Sequence, residues 1–189
     1  LDYEFVKDFE EEIPNVIATT LPIKSMKAYY LNKEGLSDSA INIIKQDKSN
    51  PFIYYSEALL GNIYLKKDQL DSAKIYLSKA FYGLPNNTNH RLLYFNLLSK
   101  LKDSVELKKS FKYLNTINKK LNIATWKNYL SSMSSIVGPG NKDLIKKLDS
   151  LKLKFPEDND IQHEISNLVL FGIENVAESL SLSIQADDY

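Results

Sequence analysis

Residues 57–85 read EALLGNIYLKKDQLDSAKIYLSKAFYGLP, and two features of this stretch decide the fold. Leu59, Leu60, Ile63 and Tyr64, followed by Leu70, Ala73, Leu77, Ala80 and Phe81, recur at steps of three and four, which is the helical period. The second feature is where the small residues fall. Gly61 and Ala73 mark the close approach of two helices in one hairpin, and Ala80 marks the spot where a following hairpin packs, with Leu60, Tyr64 and Leu77 filling the space between. Pro85 cannot continue the helix before it, so it closes the unit.

The same period runs through most of the 189 residues, and no sustained strand alternation competes with it. The spacing predicts helices near 2–12, 22–32, 38–47, 53–66, 70–83, 88–101, 104–119, 123–136, 141–154, 159–171 and 173–184. Turn chemistry separates them at Asn32 to Ser37, Lys66 to Gln69, Pro85 to Asn89 and Gly138 to Asn141. Thr20 and Leu21 lead into Pro22, a residue suited to a first helical turn, and acids after Pro156 suit another helix start. Links this short between helices of this length require antiparallel neighbours, hence helical hairpins.

The chain also resembles itself. YLNKEGLSDSA at 30–40 aligns with YLKKDQLDSA at 64–73 once Ser37 is taken as an insertion, and 34 residues separate Tyr30 from Tyr64 and Pro51 from Pro85. Further along, Gly61 corresponds to Phe95 and Leu130, Leu77 to Phe111 and Leu148, and Ala80 to Leu114 and Leu151, with GPGN at 138–141 absorbing two extra residues. On Leu60, Gly61, Tyr64, Ala73, Leu77, Ala80 and Pro85, residues 54–87 resemble the tetratricopeptide repeat. The resemblance implies an all-α fold of antiparallel hairpins stacked as a short right-handed α-solenoid. Residues 1–21 then form an N-terminal helix and loop, 22–156 three to four hairpins, and 157–189 capping helices. Ala28 and Ala40 fit the pattern, whereas Phe95 and Leu107 are bulky where small residues are usual, so a wider splay is expected there.

Composition sets outer bounds. Apolar content of 43% and charged content of 25% are those of an ordinary globular chain. No apolar run reaches the ~18 residues of a membrane helix, and no signal-peptide pattern opens the sequence. Because it starts at Leu1, the chain is expected to be cut from something longer, with any leader or anchor outside it. Cysteine is absent, which removes disulfides and thiolate chemistry while leaving the compartment open. The zero net charge conceals a layout in which residues 66–154 carry 18 basic and 6 acidic groups between acidic ends. Solvated helix faces account for this, and a basic surface for an anionic partner is the sharper reading.

Few residues carry catalytic chemistry. His90 and His163 each lie near a predicted helix start without a companion at ligand spacing, so both read as surface histidines. EDNDIQHE at 157–164 lacks the glycine and the distal glutamate of a calcium loop. GPG at 138–140 lacks the lysine of a phosphate loop, and Asn86-Asn87-Thr88 reads as a turn in a Lys/Asn/Ile-rich, bacterial-looking chain. No cofactor, metal or enzymatic activity is expected. The 12 tyrosines should pack between helices, some lining a groove as rigid contact surfaces.

Arrays of the family that this chain resembles bind an extended peptide or another protein in the concave groove of their first helices. That placement singles out Met26, Tyr29, Lys33, Tyr55, Asn62, Lys66, Asn96 and Lys100, with asparagine amides for a peptide backbone and lysines for a carboxylate. Ser25, Tyr29, Ala58 and Leu93 stand where the family's chaperone-tail variant grips a terminal carboxylate, so that specialisation is not expected. ATTLPIKSMKAYYL with the repeat and LPNN is also similar to the soluble tail of some Bacteroidetes O-antigen ligase or polymerase-like membrane proteins. That similarity implies an accessory domain of a bacterial envelope enzyme. Three readings stand: a protein-interaction module in the cytoplasm or on the periplasmic side of the envelope, the accessory domain, and a sugar-binding or enzymatic array. A homodimer through Ile161, Ile165, Leu168, Val169, Phe171, Ile173 and Val176 is a further expectation, and nucleic-acid binding is not expected.

Overall fold

Stretches with the three-and-four spacing fold as helices wherever the computed structural model describes them. The described residues are 2–6, 21–46, 49–119, 121–138 and 140–154, with Pro156, Glu157, Asn159, Gln162, His163 and Ser166. Among them every regular element is helical: a single turn, α1 (Tyr3–Val6), then α2 (Ile23–Lys33), α3 (Ser37–Lys45), α4 (Tyr55–Lys66), α5 (Leu70–Gly83), α6 (Thr88–Lys100), α7 (Ser104–Ile117), α8 (Ile123–Val137) and α9 (Lys142–Lys154). The helix expected over 2–12 is described only to Val6. Those expected over 159–171 and 173–184, with the apolar set from Ile161 to Val176, lie for the most part outside the described residues.

Two boundaries differ from expectation for local reasons. Pro22 is not in the first turn of α2 but caps it from extended backbone, with φ −60° and ψ 138°, its carbonyl accepting the Met26 N–H at 3.0 Å. Helix α4 starts at Tyr55 rather than near 53 because Tyr54 is left-handed, with φ 47°.

The chain divides into two compact units, Leu1–Leu97 and Leu98–Tyr189. In the first, α2 packs on α3 and α4, α3 also on α4, and α4 on α5. Its core includes Ala28, Leu31, Ala40, Ile44, Leu60, Ile63, Leu77, Ala80 and Phe81. Gly61 sits where predicted: a Cβ there would run into the Leu77 side chain and come within 3.1 Å of the Leu77 nitrogen. Ala73 and Ala80 are fully buried, and α6 meets α5 at the second of these through His90, whose ring nitrogen Nδ1–H donates to the Ala80 carbonyl at 3.2 Å. The Phe81 ring stacks on Tyr94 at 5.1 Å. A second close approach was not apparent in the sequence: a Cβ at Gly83 would run into the outer ring atoms of Tyr54.

In the second unit α7 packs on α8 and α8 on α9 around Leu107, Phe111, Leu114, Tyr129, Leu130, Met133, Leu144, Leu148 and Leu151. The positions equated across repeats, Phe95, Leu130, Phe111, Leu148, Leu114 and Leu151, are all buried. Asparagine and aspartate start the later helices: Asn87, Asp103, Asn122 and Asn141 accept backbone N–H groups of the first turns of α6, α7, α8 and α9.

Three turns share one backbone solution. After α2, Gly35 (φ 85°) lets the Leu36 N–H reach Leu31 O at 2.9 Å and its own N–H reach Asn32 O at 3.1 Å. After α4, Asp68 (φ 57°) does the same, with Gln69 N–H to Tyr64 O at 2.9 Å, and after α6, Lys102 (φ 55°), with Asp103 N–H to Leu98 O at 3.0 Å. Each is a Schellman closure with a left-handed residue just past the helix. The next residue, Leu36, Gln69 or Asp103, starts the following helix with φ between −88° and −85°.

Candidate functional site

Within the first unit, α2, α4 and α6 leave a hollow of about 680 Å³. Tyr29 comes from α2, Tyr55, Ala58, Leu59 and Asn62 from α4, and Asn89, His90, Leu92 and Leu93 from α6, with Leu21, Ile53 and Asn87 from the segments before those helices. Its volume is in the range of ligand pockets, about 300–1,000 Å³. Leu21, Tyr29 and Leu92 are 38%, 44% and 42% exposed, so part of its apolar surface faces water.

Three residues singled out from sequence, Tyr29, Tyr55 and Asn62, come together here. The other five do not line the hollow. Met26 is half-buried, and Asn96 is exposed. Lys33, Lys66 and Lys100 are exposed in the last turns of α2, α4 and α6, where an ammonium complements the helix dipole.

The polar character of the hollow comes from amides and phenols. Burial raises the Tyr55 phenol above its ordinary range, with the neighbouring Tyr29 and Tyr30 phenols adding to the shift, so its O–H stays a donor. The Asn87 side-chain oxygen is committed to the N–H groups of Asn89 and His90, at 3.0 and 3.2 Å. Neither a carboxylate nor a lysine is among the residues that line the hollow.

His90 corrects the sequence reading. It is not a surface residue but is 4% exposed, because it continues the inner face of Leu93, Tyr94, Leu97 and Leu98 at helical spacing. Burial holds its imidazole below the ordinary value, against the opposing pull of the Ala80 carbonyl and the Glu57 charge. His163 is exposed, as expected.

Sequence reasoning also missed a group of buried polar side chains in this unit. Ser25 and Ser56, on α2 and α4, share a buried hydrogen bond of 2.8 Å. Glu57 is buried and pairs through Oε1 with Lys79 Nζ at 2.8 Å. Burial pushes its carboxyl up, but hydrogen bonds from Lys79 and Ser49, its backbone and the Lys79 charge together hold it below the usual range. Arg91 is buried too, and its Nε has no partner among the described residues. The signal was available: Glu57 and Arg91 each stand three or four residues from core positions, at Leu60 and Gly61 and at Tyr94 and Phe95.

Among the described residues no three His, Asp or Glu side chains converge as metal ligands, and no helix is long and apolar enough to cross a membrane. Compared with known proteins, the chain matches no family model, no curated protein and no solved structure.

Proposed function

We propose that the chain is a binding module of the tetratricopeptide kind, which takes an extended, largely uncharged segment of another protein in the hollow of α2, α4 and α6 and acts by binding rather than catalysis. The hollow carries this reading: three successive first helices line it, with an apolar floor, two phenols and two free-standing amides, and no charged side chain that would demand a counter-ion. Amides and phenols bond peptide N–H and C=O groups, while Leu59, Leu92 and Leu93 accept apolar side chains. Packing of α2 on α4 and of α3 on α4 supports stacking of hairpins, as does the recurrence of one turn after α2, α4 and α6.

A random peptide library displayed on phage and selected on the purified chain tests it. Enriched peptides should be apolar and poor in acids, and Tyr55→Ala with Asn62→Ala should weaken the best of them by about tenfold or more, the loss of one or two interface anchors. Asn96→Ala, outside the hollow, should leave that affinity unchanged. Peptide binding that survives the Tyr55/Asn62 pair with helix content intact removes the assignment.

A further inference from the structure

A second hollow, of about 590 Å³, lies within the other unit among α7, α8 and α9. Its floor is aromatic. Phe111 and Tyr129 stack with ring centroids 3.9 Å apart and planes 18° from parallel, and Trp126 meets Phe111 edge-on at 4.6 Å. Around this floor stand Lys108 and Lys112, one turn apart on α7, and Lys147 on α9; Asp143 is the single carboxylate. The Lys147 ammonium is held over the rings, 5.2 Å from the Tyr129 centroid and 5.8 Å from that of Phe111. None of the three lysines forms an ion pair with an acid among the described residues.

We propose that this hollow binds a small anion carrying a flat ring, with its phosphate or carboxylate among Lys108, Lys112 and Lys147 and its ring against the Trp126, Phe111 and Tyr129 surface. The charges of Lys108 and Lys147 oppose one another, with Lys112 one turn from Lys108, and a bound anion converts that repulsion into charge-assisted hydrogen bonds. Burial, and then the charge of Lys108, hold the Lys147 ammonium below its ordinary range, the state that an added anion would reverse. An exposed lysine cluster alone would attract any anion. The stacked rings, within a volume fit for one small molecule, select for an aromatic body. This site is separate in residues and in chemistry from the uncharged hollow assigned to a peptide.

Trp126 is the sole tryptophan of the chain and lines the hollow, so its fluorescence reports occupancy directly. Phenyl phosphate titrated into the whole chain, with excitation on the red edge of indole absorption, should change Trp126 emission saturably, with an affinity that weakens as salt is raised. Inorganic phosphate should bind about tenfold more weakly for lack of a ring, and phenol should give no saturable change. Lys147→Met and Lys112→Met keep the aliphatic stems and remove the charges; each should weaken phenyl phosphate by about tenfold with the circular dichroism unchanged. Inorganic phosphate binding as tightly as phenyl phosphate overturns the aromatic selection. A response unaffected by either lysine substitution, or seen with a polyglutamate peptide and not with phenyl phosphate, overturns the site.

Discussion

At Gly61 a hydrogen in place of a side chain sets how closely α4 lies on α5. The atoms it faces belong to Leu77, which is fully buried and has nowhere to swing. Gly61→Ala gains up to about 1 kcal/mol of helix propensity but overpacks the contact at a cost of roughly 1–3 kcal/mol, so the net effect is a loss on the order of 1 kcal/mol in urea or thermal unfolding. Leu77→Ala removes the opposing atoms at its own cost of about 2–5 kcal/mol, and adding Gly61→Ala in that background should cost little more. Full additivity of the two would mean that the contact is not what keeps position 61 small. This contact was legible because the small residue and its large partner both stand on periodic helices. The equally close Tyr54–Gly83 contact was not, because a left-handed Tyr54 aims its ring in a way that no spacing rule anticipates.

Among elements, the turns after α2, α4 and α6 show where sequence and geometry part company. Gly35 announces its left-handed backbone; Asp68 and Lys102 adopt the same region without the residue that makes it easy. The left-handed region costs an ordinary L-residue about 1–2 kcal/mol, part of which glycine gives back through its freer unfolded chain. Lys102→Gly should therefore raise stability by about 0.5–1 kcal/mol, read as a higher urea midpoint with an unchanged slope, despite losing the exposed bond from Lys102 Nζ to Ser135 O at 2.7 Å. A fall in the midpoint would mean that the side chain, not the backbone, holds this turn. Helix positions themselves were readable to within a residue or two from Ile23 to Lys154, since apolar period and turn residues agree there. The caps at Asn87, Asp103, Asn122 and Asn141 sharpen those starts.

For the molecule as a whole, two of the groups that were hardest to read contribute to its response to acid. His90 titrates below its ordinary value of 6.5 when folded, so the folded chain binds fewer protons than the unfolded one just below that pH. Its contribution to stability is complete above about pH 6.5 and is lost as the pH falls from there through the depressed folded value. Glu57, also lowered, adds a separate loss that begins near its ordinary value of 4.5. The melting temperature should thus fall in two steps on acidification, and His90→Gln should abolish the upper one while keeping the lower; an unchanged upper step would place its origin elsewhere. The site was half legible for a related reason. Placing a groove on α2, α4 and α6 singled out Tyr29, Tyr55 and Asn62, which line the hollow, and Lys33, Lys66 and Lys100, which stand at helix ends outside its lining; neither Trp126 nor Lys147 drew notice because their juxtaposition spans three helices.

The shared turn has a consequence for how such a chain can change over time. Left-handed residues at 35, 68 and 102 put the same backbone path at intervals of 33 and 34 residues, whatever side chain is present. A duplication or deletion cut at these joints would land in a bend that already accepts glycine, aspartate or lysine, so lengthening or shortening the chain by one interval would demand no new joint. The bend works as a standard splice, leaving the residues on the helices between the joints free to diverge.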